Sequence, residues 1–86
     1  MAVWVDDMRI AKHGSLWCHL VADSWDEMHE FALLTLKLEA RRFHRRAKLP
    51  HYDVTVKERE LALQLGAVAV HHRQLVVCAR KLLNSE

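Results

Sequence analysis

The sequence predicts a small α/β (α+β) sandwich, in which about three helices cover a mixed sheet of three or four strands. Short β-branched and aromatic segments are interspersed with segments that carry apolar residues at helical spacing, a pattern typical of mixed α and β structure. The chain of 86 residues contains only two glycines and one proline, so it has little room for long loops. We therefore expect one compact domain over residues 1–86, with a small core.

Two strands are predicted in the first quarter of the chain. The residues of Ala2–Val5 are mostly β-branched or aromatic, as strands prefer. Leu16–Ala22 carries largely apolar side chains on both of its alternating faces, which indicates a central strand covered on both sides. The segment between them contains Gly14 and is predicted to be a loop.

One long helix is predicted to follow. Ser24 and Glu27 have the spacing of a capping box, in which each side chain bonds the free backbone N–H of the other residue. Apolar residues at helical spacing continue over Trp25–Phe43 and give this helix one packed face. Basic residues crowd its end, where positive charge complements the helix dipole: Arg41, Arg42, Arg45, Arg46 and Lys48.

The second half of the chain carries clearer boundaries. Pro50 ends any preceding helix, and the extended segment HYDVTV follows it. Thr55 and Glu58 form a second capping box, which opens a helix over Val56–Leu65. Gly66 has the position and the identity of a C-terminal cap.

A short strand and a last helix complete the predicted fold. Ala67–Val70 is the strand, and the connection to it from Leu16–Ala22 is long enough for a right-handed parallel crossover. The helix that follows is predicted to turn one apolar side inward. That side consists of Leu75, Cys78, Ala79 and Leu82.

Composition and charge exclude several classes of protein. A formal charge of +2 is too small to indicate nucleic acid by itself, and no apolar run approaches the ~20 residues of a membrane span. The start of the chain lacks the pattern of a signal peptide, and Cys18 and Cys78 have no CxxC spacing. We therefore expect a cytoplasmic protein with reduced thiols. The seven histidines are unusual for this length and are candidate metal ligands.

Histidines and aspartates form the first candidate site. His19 lies near the end of the predicted central strand and Asp23 just beyond it, where ligands gather in open sheets. His51 and Asp53 are two residues apart in an extended segment, so their side chains point the same way. Imidazole and carboxylate together suit a divalent metal or acid–base chemistry. His29 is the fifth candidate. The same residues have a second, structural interpretation, in which His29 is a core histidine and Asp53 caps a local turn.

Two other groups of charged residues are candidates. The arginines around Phe43 suit a phosphate-bearing ligand or an acidic partner, but Phe43 is predicted to face inward and so offers no stacking surface. Asp6 and Asp7 have the oxygen ligands that a divalent ion needs, yet adjacent strand residues face opposite ways. Pairing of one of them with Arg9 or with the arginine cluster is the simpler interpretation.

Several of these motifs resemble those of one family. The segments VWVDDMR, WCHLVADSWDEMHEFA and HYDVTVKERELALQLGAVAV are similar to the small bacterial and phage proteins grouped as domain of unknown function 4031. The resemblance extends from Val3 to about Leu75. The family name supplies no activity, but the resemblance implies that the candidate residues form one joint site: His19, Asp23, His29, His51, Asp53 and Arg59.

The residues lead to three hypotheses about function. The first is a pocket for a phosphate-bearing small molecule, nucleotide or nucleic-acid end, either in a binding protein or in a hydrolase that uses manganese, zinc or magnesium. The second is a non-enzymatic interaction protein, such as a phage encodes, that acts on a host protein through its basic helix end. The third is a module that only sequesters a nucleotide. The small core and the apolar last helix are compatible with a homodimer. The first hypothesis assigns three roles. The catalytic residues are His51, Asp53 and His19, and the ligand-binding residues are Arg59, Tyr52, Arg42 and Arg45. The metal ligands are His19, Asp23 and His29.

Overall fold

The computed structural model describes residues 2–44 and 47–85 and confirms the α+β class. Its mixed sheet has five strands, one more than the upper number predicted, and three helices accompany it. No helix in the described part of the chain is long and apolar enough to cross a membrane. The strands are β1 (Val3–Val5), β2 (Ile10–Lys12), β3 (Ser15–Ala22), β4 (Tyr52–Thr55) and β5 (Val68–Ala69), and the helices are α1 (Trp25–Glu30), α2 (Val56–Gln64) and α3 (His72–Asn84).

Strand β3 is the centre of the sheet, as its two apolar faces predict. Along one edge it pairs antiparallel with β1 and, further along, with β2. Along its other edge it pairs antiparallel with β4, in a register that sets His19 opposite Asp53. Strand β5 is parallel, but its partner is β1 rather than β3. The expected crossover from β3 to β5 is therefore wrong, and the parallel pair brings together the carboxyl ends of β1 and β5.

Strand β2 lies in the segment that the sequence predicts to be a loop. It forms a hairpin with β3 through His13 and Gly14, whose φ angles are both positive, at 50° and 76°. Two such residues form the tight turn whose twist matches a hairpin. The side chains of all three residues of β2 are exposed. Because no face of this strand is buried, the sequence shows no alternation that would have revealed it.

The predicted long helix is much shorter in the structure. Helix α1 ends at Glu30, one π-helical turn follows over Phe31–Thr35, and Lys37 then adopts a φ of 57°, which breaks the helix. Of the expected capping box, the bond from the Glu27 N–H to Ser24 is present at 3.1 Å. Oε1 of Glu27 is buried without a partner among the residues that the structure describes.

The basic cluster consequently does not lie at a helix end. Ala40–Arg42 forms a single 3-10 turn, and Phe43 then pairs with Tyr52 as an isolated bridge beside β4. The helical spacing of apolar residues continues past α1 because Leu38 and Phe43 still pack on the core after the chain has turned. The interpretation of the arginines through the helix dipole is therefore wrong. Arg45 and Arg46 lie outside the described residues.

Local signals predict the second half of the chain well. Both bonds of the Thr55–Glu58 capping box are present, at 3.2 and 2.8 Å, where α2 begins. Gly66 ends α2 with a φ of 112°, in the region that favours glycine. Helix α3 turns inward the side that was expected. Leu75, Ala79 and Leu82 are buried on that side, and Cys78 is half-buried.

The two faces of the sheet are covered by different helices. On one face Leu20 and Tyr52 are fully buried, and His29 of α1 bonds to the Tyr52 hydroxyl. On the other face α3 packs over β3, and its first residue, His72, reaches Asp6 at the end of β1. Side chains alternate along a strand, so His19 and Asp53 lie on this second face, under the start of α3.

Candidate metal centre

A row of acids and imidazoles crosses the face of the sheet under α3. His19 on β3 is directly opposite Asp53 on β4. Asp6 follows β1, and its backbone N–H donates to the His19 carbonyl at 3.2 Å. Cross-strand neighbours such as these have adjacent side chains on one face. The strand register therefore brings together residues that are far apart in the sequence, and three more histidines flank them: His44, His51 and His72.

Asp6 is the buried acceptor at one end of this row. Its side chain is fully buried, and its Oδ2 accepts a bond of 2.7 Å from Nδ1 of His19 and another of 2.7 Å from Nδ1 of His72. Its Oδ1 accepts the backbone N–H of His19 at 2.8 Å. Burial by itself raises the pKa of Asp6, but the hydrogen bonds from the two imidazoles outweigh burial and lower the pKa to about 2. Asp6 is therefore a carboxylate that orients two imidazole rings.

His19 is the ring shared by the two halves of the row. The hydrogen bond to Asp6 raises the pKa of His19, against the opposing effect of burial. Because Nδ1 donates to Asp6, Nε2 is the ring nitrogen that remains available to a ligand. A carboxylate that binds the far nitrogen of a ligating histidine is a common outer-shell arrangement at metal sites.

Asp53 is the second carboxylate, and its two oxygens have different surroundings. Oδ2 accepts bonds from Nζ of Lys12 at 2.9 Å and from Nε2 of His44 at 2.6 Å. Oδ1 lies 3.3 Å from Nε2 of His51. Burial works to raise the pKa of Asp53, but the hydrogen bonds from His51 and Lys12, together with the charge of His44, hold it well below its usual value. The Asp53 side chain is thus an ionised carboxylate, and its Oδ1 has fewer hydrogen-bond donors around it than its Oδ2.

The His51 ring can donate a hydrogen bond to Asp53 only when both of its nitrogens carry a proton. Its Nδ1 lies 3.0 Å from the Leu49 carbonyl, which can only accept, so Nδ1 carries the proton. In a neutral imidazole Nε2 then has a lone pair, which faces Oδ1 of Asp53. Two acceptors at this distance repel unless a cation lies between them, either a second proton on the ring or a metal ion.

Two groups of described residues could each hold a metal ion, because their ligand atoms all lie within 4.8 Å of one another. The first group is Asp6, His19 and His72, and the second is His19, His51 and Asp53. The first group is closed by two hydrogen bonds of 2.7 Å. The second is open, and the remaining polar atom of each member is bonded elsewhere: His19 to Asp6, His51 to Leu49, and Asp53 to Lys12 and His44. The second group therefore has the outer shell of a metal centre.

Two spaces border this group. A cavity of about 230 Å³ is lined by the polar residues His19, His51, His72 and Lys48 and by apolar residues that include Leu49, Pro50, Leu75, Val76 and Ala79. A groove of about 480 Å³ is lined in part by Asp53. Its wall is rich in cations and consists of Lys12, His13, Trp17, Arg41, Arg42, His44 and Asp53.

Three of the predicted site residues have other partners. Asp23 accepts the indole N–H of Trp4 at 2.8 Å and the backbone N–H of Ala2 at 2.9 Å, so it fastens the start of β1. Nδ1 of His29 bonds to the Tyr52 hydroxyl at 2.7 Å. Tyr52 is buried in the core, on the face of β4 opposite Asp53. Of the predicted metal ligands His19, Asp23 and His29, only His19 lies in either ligand group of the described residues.

The predicted anion-binding arginines also differ in position. Arg59 is nearly buried and donates from Nε to the Asp6 carbonyl at 2.7 Å, so it supports the Asp6 backbone rather than Asp53. Arg42 lines the groove and makes two bonds to the Glu58 carboxylate, at 2.7 and 3.2 Å. The predicted pairing of one N-terminal aspartate with Arg9 is confirmed, because Asp7 lies 2.6 Å from it. Arg45 lies outside the described residues.

The sequence did not reveal the contributions of His72, Lys12 and His44, and it did not join the candidate ion ligand Asp6 to His19. Asp6 and His72 follow the parallel strands β1 and β5, and the carboxyl ends of such strands are the usual place for a site. If the pairing of β1 with β5 had been predicted, it would have placed Asp6 and His72 at the same edge of the sheet. Lys12 lies on a strand without an alternating pattern, and His44 lies in the segment predicted to be helical. For these two residues the sequence offers no comparable signal.

The fold and the His–Asp row define a small α+β protein with a candidate metal centre on one face of a mixed sheet. Comparison with family models places the chain within a family. The chain belongs to the family described as "Protein of unknown function (DUF4031)", whose model matches residues 3–82, and this confirms the resemblance seen in its motifs. A search of curated proteins and a search of solved structures found no match.

Proposed function

We propose that this protein is a metal-dependent hydrolase of a small phosphate ester, with the metal held by His19, His51 and Asp53. One observation carries the proposal. Each of these residues offers a ligand atom within 4.8 Å of the other two, and each also has a polar atom that bonds to a neighbouring group. Such orientation of all three ligands is expected of a binding centre, and burial of polar groups for stability alone does not require it.

The donor set favours a transition metal over magnesium or calcium. Two imidazole nitrogens and one carboxylate oxygen suit zinc, manganese or iron(II), whereas magnesium prefers oxygen ligands and retains its waters. Three protein ligands leave positions for water and substrate, as in catalytic rather than structural zinc sites. A metal bound there supplies a nucleophile, because it lowers the pKa of coordinated water, and it neutralises charge on a phosphoryl oxygen.

Positive charge around the centre supports an anionic substrate. Lys48 lines the cavity, and Lys12 lines the groove that Asp53 borders. Cationic side chains on two sides of a site attract phosphate and bind its oxygens. In the proposed reaction the oxygen of water bonds to phosphorus and the ester P–O bond breaks. The proton that the water loses is taken up by the leaving alcohol oxygen, so the products are an alcohol and inorganic phosphate.

The interaction-protein hypothesis has less support from the structure. Arg42 forms its ion pair with Glu58, and Arg41 lies 3.1 Å from the Glu39 carboxylate. The charge of these two arginines is thus partly neutralised within the chain. No geometric feature of the described residues favours a host protein over a small ligand, and we therefore propose only the hydrolase.

The test is hydrolysis of p-nitrophenyl phosphate and bis(p-nitrophenyl) phosphate by metal-free protein, with Zn²⁺, Mn²⁺ or no metal added. The key variant is His51→Asn, because an Asn amide can replace Nδ1 as donor to the Leu49 carbonyl but has no counterpart of Nε2. We expect turnover that needs metal in the parent and in the control Asp26→Asn, whose side chain is exposed on α1. His51→Asn and Asp53→Asn should lose turnover.

Retention of the fold in the variants is checked by circular dichroism and thermal melting. Absence of turnover with every metal would contradict the proposal, and so would turnover that His51→Asn leaves unchanged. Melting temperatures that rise with inorganic phosphate, without any turnover, would replace the hydrolase by a module that only binds its ligand.

A further inference from the structure

We infer that the cavity beside the metal centre binds a small aryl or alkyl phosphate, and that Nε2 of His72 contacts its phosphate group. This inference rests on the proposed function, since it names the substrate class of the same site. It names the substrate as one compact apolar group joined to one phosphate, a ligand smaller than a nucleotide. Three features of the structure carry it: the orientation of His72, its position relative to the metal ligands, and the size of the cavity.

The ring of His72 is held in one orientation. Its Nδ1 donates to Oδ2 of Asp6 at 2.7 Å, and Asp6 is fully buried and bonded to His19 as well. The backbone is also fixed, because His72 is the first residue of α3 and the preceding His71 forms a capping box with Gln74. Nε2 is the one polar atom of the ring that remains, and the side chain, 35% exposed, lines the cavity.

His72 lies next to the metal centre without belonging to it. The centre of its ring is 5.3 Å from that of His19, but His72 is not in the ligand group of His19, His51 and Asp53. A residue in this position is too far away to coordinate the same metal with these three. It is near enough to bond to a molecule that itself coordinates the metal, and Lys48, which carries an ammonium group, lines the same cavity.

The volume of the cavity matches a small ligand. Its volume is about 230 Å³, below the range of about 300–1,000 Å³ that is typical of pockets for drug-sized molecules. An apolar cavity of about 150 Å³ binds a benzene molecule, so this one has room for a ring of that size and one phosphate. The apolar residues that line the cavity match such a group: Leu49, Pro50, Leu75, Val76 and Ala79.

Phenylphosphonate, which resists hydrolysis, is the probe for this inference. Its binding is measured by calorimetry, and the ¹⁵N signals of the histidine rings show which imidazoles it contacts. His72→Asn keeps a donor to Asp6, because its amide replaces Nδ1, but removes Nε2. His72→Gln places its amide nearer the position of Nε2. We expect at least about tenfold weaker phenylphosphonate binding for the Asn variant, a smaller loss for the Gln variant, and unchanged Zn²⁺ affinity in both.

The size of the ligand is tested with Val76→Phe, in which the new ring fills the apolar part of the cavity. We expect this variant to lose phenylphosphonate binding and to keep binding of inorganic phosphate. The opposite order of effects would overturn the inference, as would tighter binding of adenosine monophosphate than of phenylphosphonate by the parent protein.

The outcomes also separate this inference from the proposed function. If Zn²⁺ binds but His72→Asn binds phenylphosphonate as well as the parent does, the inference fails and the metal centre stands. If no metal binds, the proposed function fails, and the inference is judged on the metal-free protein. There phenylphosphonate must still shift the His72 ring signals, because His72 and Lys48 line the cavity without any metal. Unshifted signals overturn it.

Discussion

Replacing Asp6 by Asn should destabilise the fold by an amount that depends on pH. Asp6 is fully buried, and its pKa is lowered from 3.8 to about 2 by the bonds from His19 and His72. Each pH unit of such a shift corresponds to about 1.4 kcal/mol, so the ionised side chain stabilises the folded protein by about 2.5 kcal/mol at pH 7. Because the folded-state pKa is the lower one, this stability is present above pH 3.8 and is lost as the pH falls towards 2.

Urea unfolding of the parent protein and of Asp6→Asn measures this quantity. We expect a difference in unfolding free energy of about 2.5 kcal/mol at pH 7, which falls to about half of that value at pH 3. The control is Asp7→Asn, whose side chain is half exposed and paired with Arg9, and which should change stability by less than about 0.5 kcal/mol. Equal stabilities of the two variants at pH 7 would refute the reasoning, as would a difference for Asp6→Asn that does not change with pH.

Three further predictions concern the fold. Thr55→Ala removes one bond of the capping box of α2 and should lower the unfolding free energy by about 1 kcal/mol in urea titrations, whereas an unchanged midpoint would contradict the role of the cap. Gly66→Ala meets no atom within 4 Å, so its only cost is the positive φ of 112°, and thermal melting should show a loss of about 1 kcal/mol rather than a gain. Burial raises the pKa of the Cys18 thiol, which should therefore react with iodoacetamide only on unfolding and after Cys78, and rapid labelling of native Cys18 would contradict its position in the core.

Elements that depend on neighbouring residues could be predicted from the sequence. The capping box of Thr55 and Glu58, the glycine at the end of α2 and the two apolar faces of β3 each act within a few residues, and the structure confirms all of them. Strand β2 and the end of α1 depend on the tertiary fold instead. The exposed side chains of β2 leave no pattern. The helical path is broken at Lys37, after α1 and the π-helical turn, and Leu38 then packs against the core.

The candidate site shows the same division. His51 and Asp53 could be grouped from sequence because residues two apart in a strand share a face, and their atoms lie 3.3 Å apart. The contact between Asp6 and His72 joins residues 66 positions apart and requires the parallel pair of β1 and β5, which the sequence did not reveal. Asp23 was predicted to be a metal ligand because it follows the end of a strand, where ligands often bind. In the structure the same position makes it the acceptor for the indole N–H of Trp4.

Calorimetric titration of Zn²⁺ into the metal-free protein tests the central claim most directly. One ion should bind per chain in the parent protein and in Asp26→Asn. Affinity should fall by roughly 100-fold or more in His51→Asn, which keeps the bond to Leu49 but lacks the nitrogen that faces Asp53. Absence of binding by the parent protein, or equal affinities of the parent and His51→Asn, would show that His19, His51 and Asp53 do not form a metal centre.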